Sequence, residues 1–128
     1  MTMAAMTVEI TDPVAQLRAY LHCWELHLIN NPQAFCVAGM LGAEVPFLEE
    51  DVAVSVEGYF SSMASWLESV LAAGAACGRF QIHGSPKDEA AAFLSLVYGA
   101  VLVARATRNP AHFAEATRTA FTCLTSPP

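Results

Sequence analysis

The densest group of chemically capable side chains is the run His22-Cys23-Trp24-Glu25-Leu26-His27. On a helix Cys23 and His27, four residues apart, share one face, a spacing that chelates a soft metal. A zinc site takes three or four protein ligands, and His83, His112, Cys36, Cys77 and Cys123 offer no companion at ligand spacing, so no metal is expected. Thiolate chemistry is the second reading. Cys36 has no Lys or Arg beside it, whereas Arg79 lies two positions from Cys77, which makes Cys77 the better nucleophile; the default for both is a buried, inert thiol. The sequence holds no G-x-S-x-G, no phosphate-cradling Gly loop, no H-E-x-x-H and no carboxylate pair isolated among apolar residues. Glu49, Glu50 and Asp51 read as a solvated helix start, and Glu44 as a cap or pocket acid, the structural role being preferred. The chain is therefore expected to be no enzyme and to carry no cofactor. The competing reading is a redox module or enzyme using Cys36 or Cys77.

The chemistry that the residues favour is apolar binding. Trp24, Leu28, Met40, Phe60, Met63, Trp66 and Tyr98 all fall on apolar stripes, and adaptable Met among bulky aromatics suits a pocket for an apolar ligand. Tyr98 or His27 would orient such a ligand by a hydrogen bond. The plain alternative is ordinary core, which Met and aromatics at helical spacing more often are.

Helices must position these groups. Pro13, Pro32, Pro46, Pro86 and Pro110 each open a segment of helical periodicity. Asp12, Asn31, Ser85 and Asn109 precede four of them as N-caps, and Ser85 with Asp88 resembles a capping box. The spacing predicts helices over Pro13 to Ile29, Pro32 to Ala43, Pro46 to Ala73, Pro86 to Arg105 and Pro110 to Leu124. Gly74 is read as the stop of the third, and Ala75 to Gly84 as the one sizeable, mobile connection. No period-two strand pattern or internal repeat is present, so the fold class is all-α, a five-helix bundle.

The fourth segment is apolar nearly all round, with Phe93, Leu94, Val97, Tyr98, Val101 and Leu102 on one side and Ala92, Leu96, Gly99 and Val103 on the other. One small core cannot use both. Across the 128 residues the apolar fraction is 55% and the charged fraction 14%, against about 25% charged in ordinary soluble domains. The surplus needs a membrane, a second subunit or an internal cavity. The longest charge-free apolar stretch, Ala90 to Ala104, falls short of the about 20 residues that cross a bilayer. No membrane partner is therefore expected. MTMAAMTVEI lacks the basic region of a secretory signal, and four widely spaced cysteines without a C-x-x-C pair suit the reducing cytoplasm. A net charge of −6 without a Lys or Arg cluster argues against nucleic-acid binding by this chain alone. The last two helices are thus expected to pair with their copies as a four-helix bundle in a homodimer. Leu96, Gly99, Val103 and Ala120 would form the interface, with Phe113 and Phe121 anchored in the partner.

The runs Phe35 to Glu44, Trp66 to Leu71 with Gly74 and Gly78-Arg79-Phe80, Ala90 to Leu96 with Tyr98-Gly99-Ala100, and Asn109 to Phe113 together resemble the C-terminal regulatory domain of the TetR family of bacterial transcriptional repressors, over about Thr11 to Leu124. The resemblance implies an effector-binding and dimerisation domain whose last two helices build the dimer and whose earlier helices enclose a small hydrophobic or amphipathic molecule. It also implies that ligand binding shifts the separation of two helix-turn-helix domains between DNA-competent and DNA-incompetent states. The basic helix-turn-helix expected in front is missing. Residues 1–11 are read as a leader or residual linker and 12–125 as the effector domain, so the chain is expected to be a trimmed effector domain, a shortened repressor, or a free-standing sensor that forms mixed dimers with a full-length related regulator.

Overall fold

The computed structural model describes residues 9–30 and 37–127, Val37 by its backbone alone. Among them are five α-helices and no strand: α1 Pro13–Asn30, α2 Val37–Glu44, α3 Glu50–Ala76, α4 Pro86–Ala106 and α5 Ala111–Thr125. A 3-10 turn, Val45–Phe47, follows α2. The Asn31 cap and the start expected for the second helix at Pro32 lie outside the described residues, as do Phe35 and Cys36.

Local chemistry sets most boundaries. Asp12 Oδ2 accepts the Ala15 N–H at 2.9 Å and starts α1, while Ser85 Oγ accepts the Asp88 N–H at 3.1 Å and starts α4 behind Pro86. The expected Asn109 side-chain cap is not made, because α5 begins one residue later and Pro110 stands at its cap position. The expected Pro46–Ala73 helix also divides. Leu48 N–H closes onto Val45 O at 3.2 Å and Leu48 then turns extended, so α3 proper starts at Glu50, with Glu50 and Asp51 at the positive end of its dipole.

Gly74 does not end α3, which runs on to Ala76 and turns at Gly78, whose φ of 74° suits a residue without Cβ. Gly74 serves packing instead. A Cβ there would overlap the ring of Phe80, lying 2.6 Å from Cε2 and 2.8 Å from Cγ. Phe80 is buried, Arg79 and Phe80 N–H groups both bond Gly74 O, and Gln81 N–H bonds Leu124 O at 2.7 Å. The segment read as a mobile connection is therefore tied both to α3 and to the end of α5.

The core is one cluster drawn from α1, α3, α4 and α5, centred on the fully buried Leu17, Leu67, Leu71, Val97, Val101 and Phe113. α4 packs most extensively, between α3 and α5. It is also the one helix among the described residues long and apolar enough to cross a membrane, because the helix continues through its charged ends beyond the charge-free stretch. One third of its most apolar window is buried in the chain. On the other side of α4, Ala92, Gly99 and Val103 are exposed, Val103 at 41%, so the second face foreseen from the sequence is present.

Candidate functional site

The principal cavity lies where α2 crosses α3 and α4 and has a volume of about 940 Å3. Its position follows from helical spacing. On α4, Tyr98, Leu102 and Arg105 recur at intervals of four and three and line one side; on α3, Ala53, Val56 and Phe60 do the same opposite. Met40 and Gly42 of α2 bound the remaining wall. Gly42 faces Phe60 of α3, and a Cβ there would stand in ordinary contact with the ring, 3.4 Å from Cε2.

Polar groups are few and gathered. The Tyr59 and Tyr98 hydroxyls share a hydrogen bond of 2.8 Å, and Arg105 Nη1 points at Met40 Sδ at 3.6 Å. Glu50 and Glu57 contribute the carboxylates of the rim. The Phe60 and Tyr98 rings meet edge to face at 5.0 Å, and Trp24 supports Tyr98 from behind at 5.7 Å. This arrangement of an apolar wall with two hydroxyls and one guanidinium at its margin can hold and orient a small molecule. Among the described residues no group of His, Cys, Asp and Glu suits a metal.

Met40, Phe60 and Tyr98, expected to contact a ligand, converge on this cavity. Trp24 stands in the second layer of side chains, His27 is exposed beside it, and Leu28 and Met63 are buried in the main core. For those last two the plain core reading wins, because both are buried in the main core and neither lines the cavity. Glu44 is exposed at the end of α2 and does not line the cavity. Arg105 and Leu102 were missed as a site. Their spacing from Tyr98 was the available signal, but it identifies a face, not what the face meets.

Cys77 departs from the expected burial, since it is exposed, as are Cys23 and Cys123. Cys77 donates weakly to Gly74 O at 3.4 Å.

Ala92 and Leu96 of α4 meet Ala120 and Cys123 of α5 in a shallow cleft of about 150 Å3; Val103 continues that flank at helical spacing, and Gly99, also assigned to the interface, borders the α2–α3–α4 cavity. Two residues assigned to the interface leave it. Phe113 is completely buried within its own subunit, 6.3 Å from the Trp24 ring, and Phe121 lies on the other side of α5, under the Arg18 guanidinium at 5.1 Å. A buried anchor has no surface to offer a partner.

Residues 13–120 match the family model described as "Tetracyclin repressor-like, C-terminal domain". The chain belongs to that family. It is also similar in structure to a transcriptional regulator of the TetR family from Agrobacterium tumefaciens, with a TM-score of 0.92 and 37% identity over 97% of this chain. The regulatory protein TetR from Rhodobacter sphaeroides superposes with a TM-score of 0.80 over 88% of this chain, a likeness of fold at 24% identity. This chain covers 65% and 60% of those two chains, less than two thirds of either. No match was found among curated proteins. The tetracyclin-repressor-like assignment agrees with the all-α architecture and with the regulatory class to which the relative belongs.

Proposed function

We propose that this chain is the effector-sensing and dimerising part of a TetR-type transcriptional regulator. The α2–α3–α4 cavity takes a small hydrophobic or amphipathic effector, with Met40 and Phe60 on its apolar body and Tyr98 and Arg105 on its polar end. The observation that carries this reading is the size of the cavity, about 940 Å3, and its predominantly apolar wall, which match the volume and chemistry of small-molecule sites of about 300–1,000 Å3. The chain performs no chemistry on the effector. It works in the cytoplasm as a homodimer through Leu96, Gly99, Val103 and Ala120, pairs with a full-length relative in the same way, and does not bind DNA by itself. The −6 charge supports that last point, because phosphate neutralisation requires a basic face.

A thermal-shift panel of apolar and amphipathic compounds tests the cavity. A ligand at one hundred times its Kd adds about 2.7 kcal/mol, a Tm rise of roughly 10 °C for a domain of this size. Gly42→Leu, which grows a side chain toward Phe60 and into the cavity, should abolish the rise. A panel without any shift, or shifts untouched by Gly42→Leu, would remove the cavity from the reading. Fluorescence anisotropy with duplex DNA tests the rest, and specific salt-sensitive binding by this chain would contradict it.

A further inference from the structure

A second hollow, on the opposite side of α1, has a different character. It measures about 620 Å3, shares no residue with the α2–α3–α4 cavity, and runs between α1 and α5 with the Arg79 turn at one end. Arg18, Arg79 and Arg118 all line it, which is half of the six Lys and Arg residues in a chain of net charge −6. These three are far apart in sequence and only the packing of α1 on α5 assembles them.

Of the two acids in this groove Asp12 is engaged, while Glu25 is paired only when His22 is protonated. Asp12 receives Arg79 Nη1 on Oδ1 at 3.1 Å and caps α1 through Oδ2, and Glu25 lies 3.9 Å from His22 Nδ1. Among the described residues neither Arg18 nor Arg118 has a carboxylate within ion-pair distance. Arg18 is held over the face of Phe121, and Arg118 precedes Phe121 by three positions, on the same side of α5. Arg18, Arg118 and Phe121 thus line the same hollow, with the Arg18 guanidinium over the ring. Beneath them Val14, Leu21 and Ala114 supply an apolar floor.

From this geometry we infer that the α1–α5 groove is a second ligand site, for a small amphipathic organic anion, a carboxylate or phosphate monoester on an apolar ring. The ring stacks on the floor beside Phe121 and the anion bridges Arg18 and Arg118, whose planar donor forks match carboxylate and phosphate oxygens. The occupant clasps α1 to α5. This inference is independent of what fills the larger cavity.

The test is a 15N–1H NMR titration of the whole chain with 1-naphthoate, 1-naphthyl phosphate and, as the uncharged control, 1-naphthylmethanol. At least one anion should move the amides of Arg18, Thr117, Arg118 and Phe121 saturably, and comparing the two anions tells carboxylate from phosphate preference. Loss of a charge-assisted hydrogen bond should weaken that binding about tenfold in Arg18→Gln and in Arg118→Gln, and the alcohol should bind the groove weaker by a similar factor. Both arginines are exposed, so the variants should keep the parent spectrum elsewhere. Shifts confined to Met40, Phe60 and Tyr98, equal binding of the alcohol, unaltered affinity in both variants, or no saturable shift with either anion at millimolar concentration would each overturn the inference.

Discussion

Gly74→Ala is the sharpest probe of how the two ligand-sized hollows are held in place, because Gly74 locks the turn that joins α3 to α4 and carries Arg79. The added Cβ would sit inside contact distance of Cδ2, Cε2 and Cγ of Phe80, at the root of the ring as well as its edge, so rotating the ring about its own axis gives no escape. Forcing extra volume into a packed site costs about 1–3 kcal/mol, and expelling Phe80 instead forfeits the about 1.5–3 kcal/mol of burying it. Against this stands the helix preference of Ala over Gly, at most about 1 kcal/mol and less here, two residues from the helix end. The net expectation is a destabilisation of about 1–2 kcal/mol, which lowers the urea midpoint by roughly 0.5–1 M at an m-value of about 2 kcal/mol/M. Urea unfolding followed by circular dichroism, at fixed protein concentration, measures it. The decisive comparison is Phe80→Ala, with TMAO present throughout to offset the about 3–5 kcal/mol that truncation costs. Without the ring the Cβ meets nothing, so Gly74→Ala should become neutral or stabilising. An equal loss in both backgrounds, or no loss in the parent, would refute the packing argument.

Other substitutions address the remaining surfaces. Leu96 lies on the α4 flank away from the cavity, so Leu96→Glu should leave the subunit folded while splitting the dimer in sedimentation velocity; Gly99→Arg, whose Cβ meets nothing within 4 Å, should also split it but alters the cavity wall as well. Gly58 is equally open within α3, and Gly58→Ala should stabilise by about 0.5–1 kcal/mol in the same urea assay. Asp12→Ala removes the α1 cap and a half-exposed ion pair with Arg79, and should cost about 1–2 kcal/mol, most of it from the cap. Arg108 holds a φ of 56°, so Arg108→Gly should stabilise by about 1 kcal/mol, read as a rise in the urea midpoint.

Short-range chemistry was legible from the sequence wherever a few neighbouring residues decide the outcome. Asp12-Pro13 and Ser85-Pro86 start helices because cap and ring geometry act within one turn, and the stripes of α1, α3 and α4 emerge because a helix repeats every 3.6 residues. The two-sided α4 was visible for the same reason. The role of Gly74 was misread, since a glycine stop and a glycine under an aromatic ring look alike until Phe80 is seen to fold back.

What the sequence by itself determined is therefore the helical class, the starts of α1 and α4 and the excess of apolar surface, all properties of residues close together along the chain. Tertiary packing alone decided which stripe meets which: Met40 borders a cavity while Met63 is core, Phe113 is internal, and Phe121 faces α1 under Arg18. It also brought Arg18, Arg79 and Arg118 to one groove in a chain whose charge showed no linear cluster. The physical reason is that periodicity states how strongly a face avoids water, whereas its neighbour is chosen by the shapes and crossing of whole helices.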